Sequence, residues 1–200
     1  MPEFILDSSG RVDMPPPAAP LSFSDLDAFT QGYIEAIFFT NECPQVDTEE
    51  FNTAEHQAAM VEGAADGVLP CDVGFADLAP ETLQAIIADC SAWQVANAEL
   101  LAAAYARNYE PEQAGRDYWY TRNGHGVGFW DRSELEPDSA EYEALTAEMV
   151  ENRDIAAAWQ AAYDKRSVLN EESLGEKLSK ACRYRTVDVY FGDDGKVHLS

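Results

Sequence analysis

The densest concentration of chemically useful side chains runs Thr121-Arg122-Asn123-Gly124-His125-Gly126-Val127-Gly128-Phe129-Trp130-Asp131-Arg132. Three alternate glycines surround a histidine, and an arginine stands near each end. Glycine permits positive φ and lets backbone N–H groups approach a ligand closely. Guanidinium groups recognise carboxylate or phosphate through paired hydrogen bonds, and imidazole exchanges protons near neutral pH. The candidate ligand-binding set is therefore Arg122, Asn123, His125, Asp131 and Arg132. A reaction centre, if present, would use His125 with Arg122, Asp131 and Arg132. A plainer role competes and carries more weight. Asn123-Gly124 can end a helix, Phe129 and Trp130 can plug a core, and Asp131 and Arg132 can brace a loop. A Gly-x-Gly pattern alone is weak evidence, and no strand precedes this one as a dinucleotide site requires.

Other chemistries find less support. His56, His125 and His198 are too scattered to match a zinc spacing, and Asp193-Asp194 is too short a motif for a calcium loop. No metal site and no cofactor are expected. There is no Gly-x-Ser-x-Gly elbow, and Cys43, Cys71, Cys90 and Cys182 form no Cys-x-x-Cys pair. The thiols are read as reduced, which fits a cytosolic protein. Among 37 acids a carboxylate pair can always be found, so proposing one carries no information. An enzyme is not the favoured reading.

Charge says more. From Val12 to Ala106 there is no lysine or arginine, against 16 carboxylates. The bases lie almost wholly beyond residue 106, and the net charge is −24. Such a field repels nucleic acid backbones and anionic membranes and attracts cationic proteins. No apolar run approaches the ~20 residues that span a bilayer, and Met1 to Asp7 does not resemble a signal peptide. The hydrophobic fraction of 46% suffices for a core, so a folded acidic protein is expected rather than a disordered tail.

The elements that must carry these groups follow from periodicity. Residues 3–14 read as a β-hairpin, and 15–20 as a proline-rich spacer. A helix is predicted from Ser24 to Asn41, with Leu26, Phe29, Tyr33, Ile37 and Phe38 on one buried face. Residues 42–76 read as an acidic loop region with a short helix near Thr48–Met60. Pro80 opens a helix reaching Arg107 or Asn108, and Pro111 opens another that stops at Asn123-Gly124. Residues 134–173 look helical and alanine-rich, with one long segment from Ser139 to Lys165. A last helix spans Glu171 to Cys182. Thr186–Phe191 and Lys196–Leu199 form a hairpin about Gly192-Asp193-Asp194-Gly195. The expected class is α+β: one acidic domain over 1–200, mainly helical, with N- and C-terminal β-hairpins forming a small antiparallel sheet.

Several segments together resemble a family of small acidic proteins of tailed bacteriophages and prophages, generally of unassigned function. They are Phe29–Ala36, Gly74–Glu81, the Arg-Asn-Gly-His-Gly-x-Gly-Phe-Trp-Asp-Arg core, Gly175–Leu178 and Val187–Lys196. The resemblance implies a phage context and action in the bacterial cytoplasm. It brings no catalytic assignment. Against the simpler family pattern, residues 133–173 look like a helical insertion.

Three functions follow. The favoured one is an acidic interaction protein that mimics nucleic acid and inhibits a basic host protein, a DNA-processing or defence enzyme of the restriction or CRISPR kind. It would bind no nucleic acid and no membrane itself. Its acidic surface would include Asp47, Glu49, Glu50, Glu55, Glu62 and Asp66, with Glu134, Glu136, Asp138, Glu141 and Glu143 in the insertion. The alternatives are a small enzyme or ligand-binding protein centred on the His125 loop, and a virion or assembly accessory. The oligomeric state is not set by the sequence.

Overall fold

The computed structural model describes residues 21–41, 69–70, 73–137, 139–171, 173–182 and 186–200. Helix α1 (Ala28–Asn41) is central. Its residues Phe29, Thr30, Gly32, Tyr33, Ile34, Ala36 and Ile37 are all buried, so it is enclosed on most sides rather than on one face. Its start differs from the predicted Ser24. A separate 3₁₀ turn, Phe23–Asp25, comes first, and Ser22 donates its N–H and hydroxyl to the Asp25 carboxylate at 2.9 and 2.7 Å. Asp27 then caps α1, accepting from the Thr30 N–H at 3.1 Å and the Thr30 hydroxyl at 2.6 Å.

Helix α2 (Pro80–Ala96) opens on the predicted proline and continues into α3 (Ala98–Tyr105). The single expected helix is broken at Asn97, which leaves helical geometry (φ −118°, ψ 21°). Its N–H and its side-chain amide both donate to the Trp93 carbonyl, at 3.1 and 2.9 Å. Helix α4 (Pro111–Asn123) begins at its proline and ends on Gly124, whose φ of 71° is the left-handed cap that glycine adopts without strain.

Among the described elements, helices α1 and α4 make the most extensive contact, and they touch backbone to backbone. A methyl group on Gly32 would lie 1.9 Å from the Glu112 carbonyl oxygen, and one on Gly115 1.9 Å from that of Phe29. Reciprocal glycines are what allow the crossing. Around it the core is aromatic. Trp93 stacks on Tyr118 at 4.5 Å and on Phe129 at 5.7 Å, Tyr33 meets Trp119 edge-on at 5.4 Å, and the Trp119 indole N–H donates to the Thr40 hydroxyl at 2.8 Å.

The segment predicted as one long helix is a hairpin of two, α5 (Ala140–Glu151) and α6 (Ala156–Asn170). Ser139 caps the first by accepting from the Tyr142 N–H. Asn152 closes it with its side-chain amide on the Glu148 carbonyl at 2.9 Å. The two helices pack chiefly on each other, and their buried Tyr142, Leu145 and Ala162 lie outside the main core cluster. Helix α7 (Leu174–Ala181) starts at the cap Ser173, later than the predicted Glu171, and packs on a 3₁₀ turn at Phe129–Asp131.

The C-terminal hairpin is present as expected. Strands β1 (Val189–Phe191) and β2 (Val197–Leu199) pair antiparallel with Tyr190 opposite His198. Among the described residues their other neighbour is Leu78–Ala79, where the Ala79 N–H donates to the Val197 carbonyl at 3.0 Å. The expected N-terminal hairpin, proline spacer and Thr48–Met60 helix lie outside the described residues. The described protein is mostly helical with one small antiparallel sheet. No described helix is long and apolar enough to cross a membrane.

The glycine crossing yields a direct test. Gly32→Ala or Gly115→Ala should destabilise the fold by about 3 kcal/mol or more, because backbone rather than a flexible side chain must move. Gly74→Ala, whose added methyl meets nothing within 4 Å, should stay within about 0.5 kcal/mol. Urea unfolding of the three variants checks this.

Candidate functional site

The two arginines of the glycine segment point into the protein and hold different partners. Arg122, in the last turn of α4, is 8% exposed. It donates to the Tyr33 hydroxyl of α1 at 2.9 Å, to the Tyr118 hydroxyl at 3.3 Å, and to the Asp89 carboxylate of α2. Its guanidinium carbon also lies 5.0 Å from the centre of the Tyr118 ring. One cation thus joins three helices. Burial raises the pKa values of Tyr33 and Tyr118 well above the usual phenol range, so both remain hydroxyls.

Arg132 forms a two-toothed pair with Asp117 of α4, with 2.6 Å between its Nε and Asp117 Oδ2. Asp117 has no exposed surface. It also accepts from the Tyr109 hydroxyl at 2.6 Å and the Gln113 amide at 3.1 Å. Four donors therefore meet the roughly four lone-pair positions of one carboxylate. Burial is the chief reason that the Tyr109 pKa is pushed far up, with the Asp117 charge second. This hub ties the start of α4 to the segment after Phe129.

Asn123 is also an internal brace. Its amide nitrogen donates to the Trp119 carbonyl at 3.0 Å, and its oxygen accepts from the Val187 N–H at 2.8 Å. His125 is exposed, with its ring beside those of Trp119 and Tyr120 at 6.2 and 6.1 Å between centres. Removal of that side of the ring from water lowers its pKa below the usual 6.5. Asp131 is exposed on its 3₁₀ turn. The five candidates are thus neighbours along the chain, but Arg122 and Arg132 serve two separate carboxylates, the half-exposed Asp89 and the buried Asp117. What remains at the surface is the loop itself. Gly124 and Gly126, with φ of 71° and 72°, fold it over a cleft of about 250 Å³ between the loop, Trp130 and α7.

Sequence reasoning missed Asp89, Asp117, Tyr33 and Tyr109. A signal for Asp117 existed, since Ala114 and Thr121, three residues before and four after it, belong to one helical face. A carboxylate on a buried face requires a cation. The partner's position, fifteen residues on, had no such signal.

Of the acidic candidates, Glu134, Glu141 and Glu143 are exposed. Glu136 is half-buried and accepts from Arg166 at 3.0 Å and from the Tyr142 hydroxyl at 3.1 Å, while Arg107 holds its carbonyl at 2.9 Å. Asp47, Glu49, Glu50, Glu55, Glu62, Asp66 and Asp138 lie outside the described residues. Arg116 pairs with Glu35 at 2.6 Å. Among the described residues no group of three or more His, Cys, Asp and Glu side chains gathers into a metal-binding cluster. Cys90 and Cys182 are buried, and burial pushes the Cys182 thiol up to about 12 and the Cys90 thiol higher still, so both stay protonated and poorly nucleophilic.

No protein-family model, curated protein or solved structure matches the chain.

Two measurements probe the site. Asp117→Asn should cost about 3–5 kcal/mol, because it breaks a buried pair that Arg132 and Tyr109 cannot replace. Asp89→Asn should cost about 1 kcal/mol, since the Asp89 side chain is 45% exposed to water. Chemical unfolding separates them. For His125, an NMR titration should give a midpoint below 6.5. Its depressed pKa means the unfolded chain binds the proton first. Stability should therefore fall as pH drops from about 6.5 toward the folded midpoint and then level off. His125→Gln should remove that part of the slope.

Proposed function

We propose that this is an acidic interaction protein that occupies the cationic groove of a host DNA-processing or defence enzyme, in the manner of a nucleic acid. The observation that carries the reading is the division of labour between charges. Arg107, Arg116, Arg122, Arg132 and Arg166 are each engaged by acceptors within the fold. Helix α5, by contrast, holds no basic residue and exposes Glu141, Glu143, Glu148 and Glu151. These five arginines brace the fold, Arg153 beyond the end of α5 stays exposed, and α5 itself carries only negative charge.

A magnitude narrows the geometry. Glu141 to Glu151 spans ten residues, about 15 Å of helix, or roughly one carboxylate per 5 Å. Duplex DNA carries one charge per ~1.7 Å of axis and a single strand one per ~3.4 Å. In charge per length of axis α5 is closer to one strand than to a duplex, with Glu141, Glu148 and Glu151 within about 80° around the helix and Glu143 farther round. The reading therefore needs α5 to lie along one wall of a groove, with other acidic segments against the rest. The resemblance of the Thr121–Arg132 segment to tailed-phage proteins supports the host-enzyme context and a site of action in the bacterial cytoplasm.

The test is binding to a basic-grooved restriction or repair enzyme of the bacterial host. Binding should weaken steeply with salt and be competed by duplex DNA. Changing Glu141, Glu143, Glu148 and Glu151 together to glutamine should leave the fold intact, weaken binding by at least about tenfold and flatten the salt dependence. Salt-insensitive binding, or full binding by the fourfold variant, would overturn the proposal.

A further inference from the structure

The cleft under the glycine loop has a composition that selects a ligand. Its walls include Tyr120, Gly126, Val127 and Trp130, with Glu176 and Ser179 contributed by α7. Trp130 is 47% exposed and Val127 38%, so an indole and an isopropyl group stand open at the surface. The Ser179 hydroxyl oxygen is buried and has no hydrogen-bond partner among the described residues. A buried, unpaired polar atom is uncommon and calls for an explanation. Among the described residues no ion pair engages Glu176, whose own N–H is capped by Ser173 at 3.1 Å. Lys177 and Lys180 flank Glu176 and Ser179 along α7, with Lys180 reaching the Glu171 carbonyl at 3.2 Å, and Arg122 and Arg132 beside the loop donate into the core. Among the described residues, the cleft thus combines a carboxylate, a hydroxyl without a partner and an aromatic ring, and no guanidinium lines it.

We infer that this cleft receives one arginine side chain of the cationic partner. At about 250 Å³ it is smaller than the roughly 300–1,000 Å³ of drug-sized ligand sites, which suits a single long side chain. A guanidinium is planar and stacks on indole, and it offers five N–H donors to acceptors such as Glu176 and Ser179. A lysine ammonium lacks the flat face and is more strongly hydrated. The net charge of −24 draws a basic protein to this surface from a distance, and the cleft then fixes its register. The inference rests on the acidic-interaction reading and adds a discrete anchor to it.

The test uses the full-length chain with N-acetyl-arginine methylamide, and the lysine and citrulline analogues as comparators. NMR follows the Trp130 indole N–H and the Gly126 and Val127 amides. The arginine probe should give saturable shifts. The lysine probe should bind at least about fivefold more weakly, and the neutral citrulline probe should give none. Glu176→Gln should weaken the arginine probe about tenfold, and Trp130→Ala should abolish the shifts at the two amides. Ser179→Ala should weaken it less than Glu176→Gln. The α5 fourfold glutamine variant should bind the arginine probe unchanged. Absence of saturation, equal binding of citrulline, or full affinity in Glu176→Gln would overturn the inference. If the cleft fails while the host enzyme still binds through α5, the anchor is wrong and the interaction reading survives. If the arginine probe binds and no host enzyme does, the reverse holds.

Discussion

The contact on which the rest of the structure depends is the crossing of α1 and α4 at Gly32 and Gly115. Helix axes usually stay 8–10 Å apart because side chains fill the space between them. Here each backbone occupies the space where the other's Cβ would be. That approach brings the Tyr33 and Tyr118 rings to 5.4 Å and sets both hydroxyls within reach of Arg122. Asp117, two residues beyond Gly115, lies on the opposite side of α4, where Tyr109, Gln113 and Arg132 close over it and leave it no exposed surface.

Burying a charge costs several kcal/mol unless a partner and further hydrogen bonds compensate it. Asp117 meets that condition in full, with Arg132, Tyr109 and Gln113 around it. Arg122 meets it with two tyrosines and Asp89. These contacts bridge elements far apart in sequence, and a misplaced register would strand an ion in an aromatic core. They therefore favour one arrangement of α1, α2, α4 and the glycine segment over alternatives of similar hydrophobic burial. The outer hairpin is held differently. Arg166 lies over the Tyr142 ring at 4.2 Å and reaches Glu136, whose carbonyl accepts from Arg107. Its attachment is polar and peripheral.

What the sequence made legible is what short-range chemistry controls. Pro80 and Pro111 start helices, Gly124 ends one, and the Gly192–Gly195 turn closes a hairpin with Gly195 at φ 72°. The breaks at Asn97 and Asn152 were hidden because alanine, leucine and glutamate on both sides favour helix, and each asparagine ends its helix through its own side chain on a carbonyl four residues back. The candidate site was legible as a segment but not as a geometry. Spacing along the chain set Arg122 and Arg132 on either side of His125. Their partners come from α1, α2 and the buried face of α4, and no local pattern encodes those meetings. Gly32 and Gly115 carry no local sign of a partner, though they are the reason these helices meet.

The same accounting sharpens what the cation-free stretch from Val12 to Ala106 means. Within its described part, Glu35 and Asp89 receive arginines from α4, at the surface and at the core edge respectively. Asp25, Glu81 and Glu99 remain exposed without an ion pair among the described residues. Neutralisation is therefore uneven: among the described residues, Asp89 and Asp117 beside the aromatic core hold arginines, as do Glu35 at the surface and Glu136 beside the outer hairpin, while other peripheral carboxylates keep their charge. A protein needing negative charge only for solubility could scatter it and pair it loosely. In this fold Arg122 and Arg132 turn inward rather than into the cleft beside Trp130, while Arg166 lies against Tyr142 and Thr146 of α5 and Arg153, just beyond α5, stays exposed. Among the described residues both exposed features present acceptors, and no arginine belongs to the cleft's walls or to α5 itself. In the proposed interaction, attraction by the overall negative charge and selection at one cleft would be separable contributions.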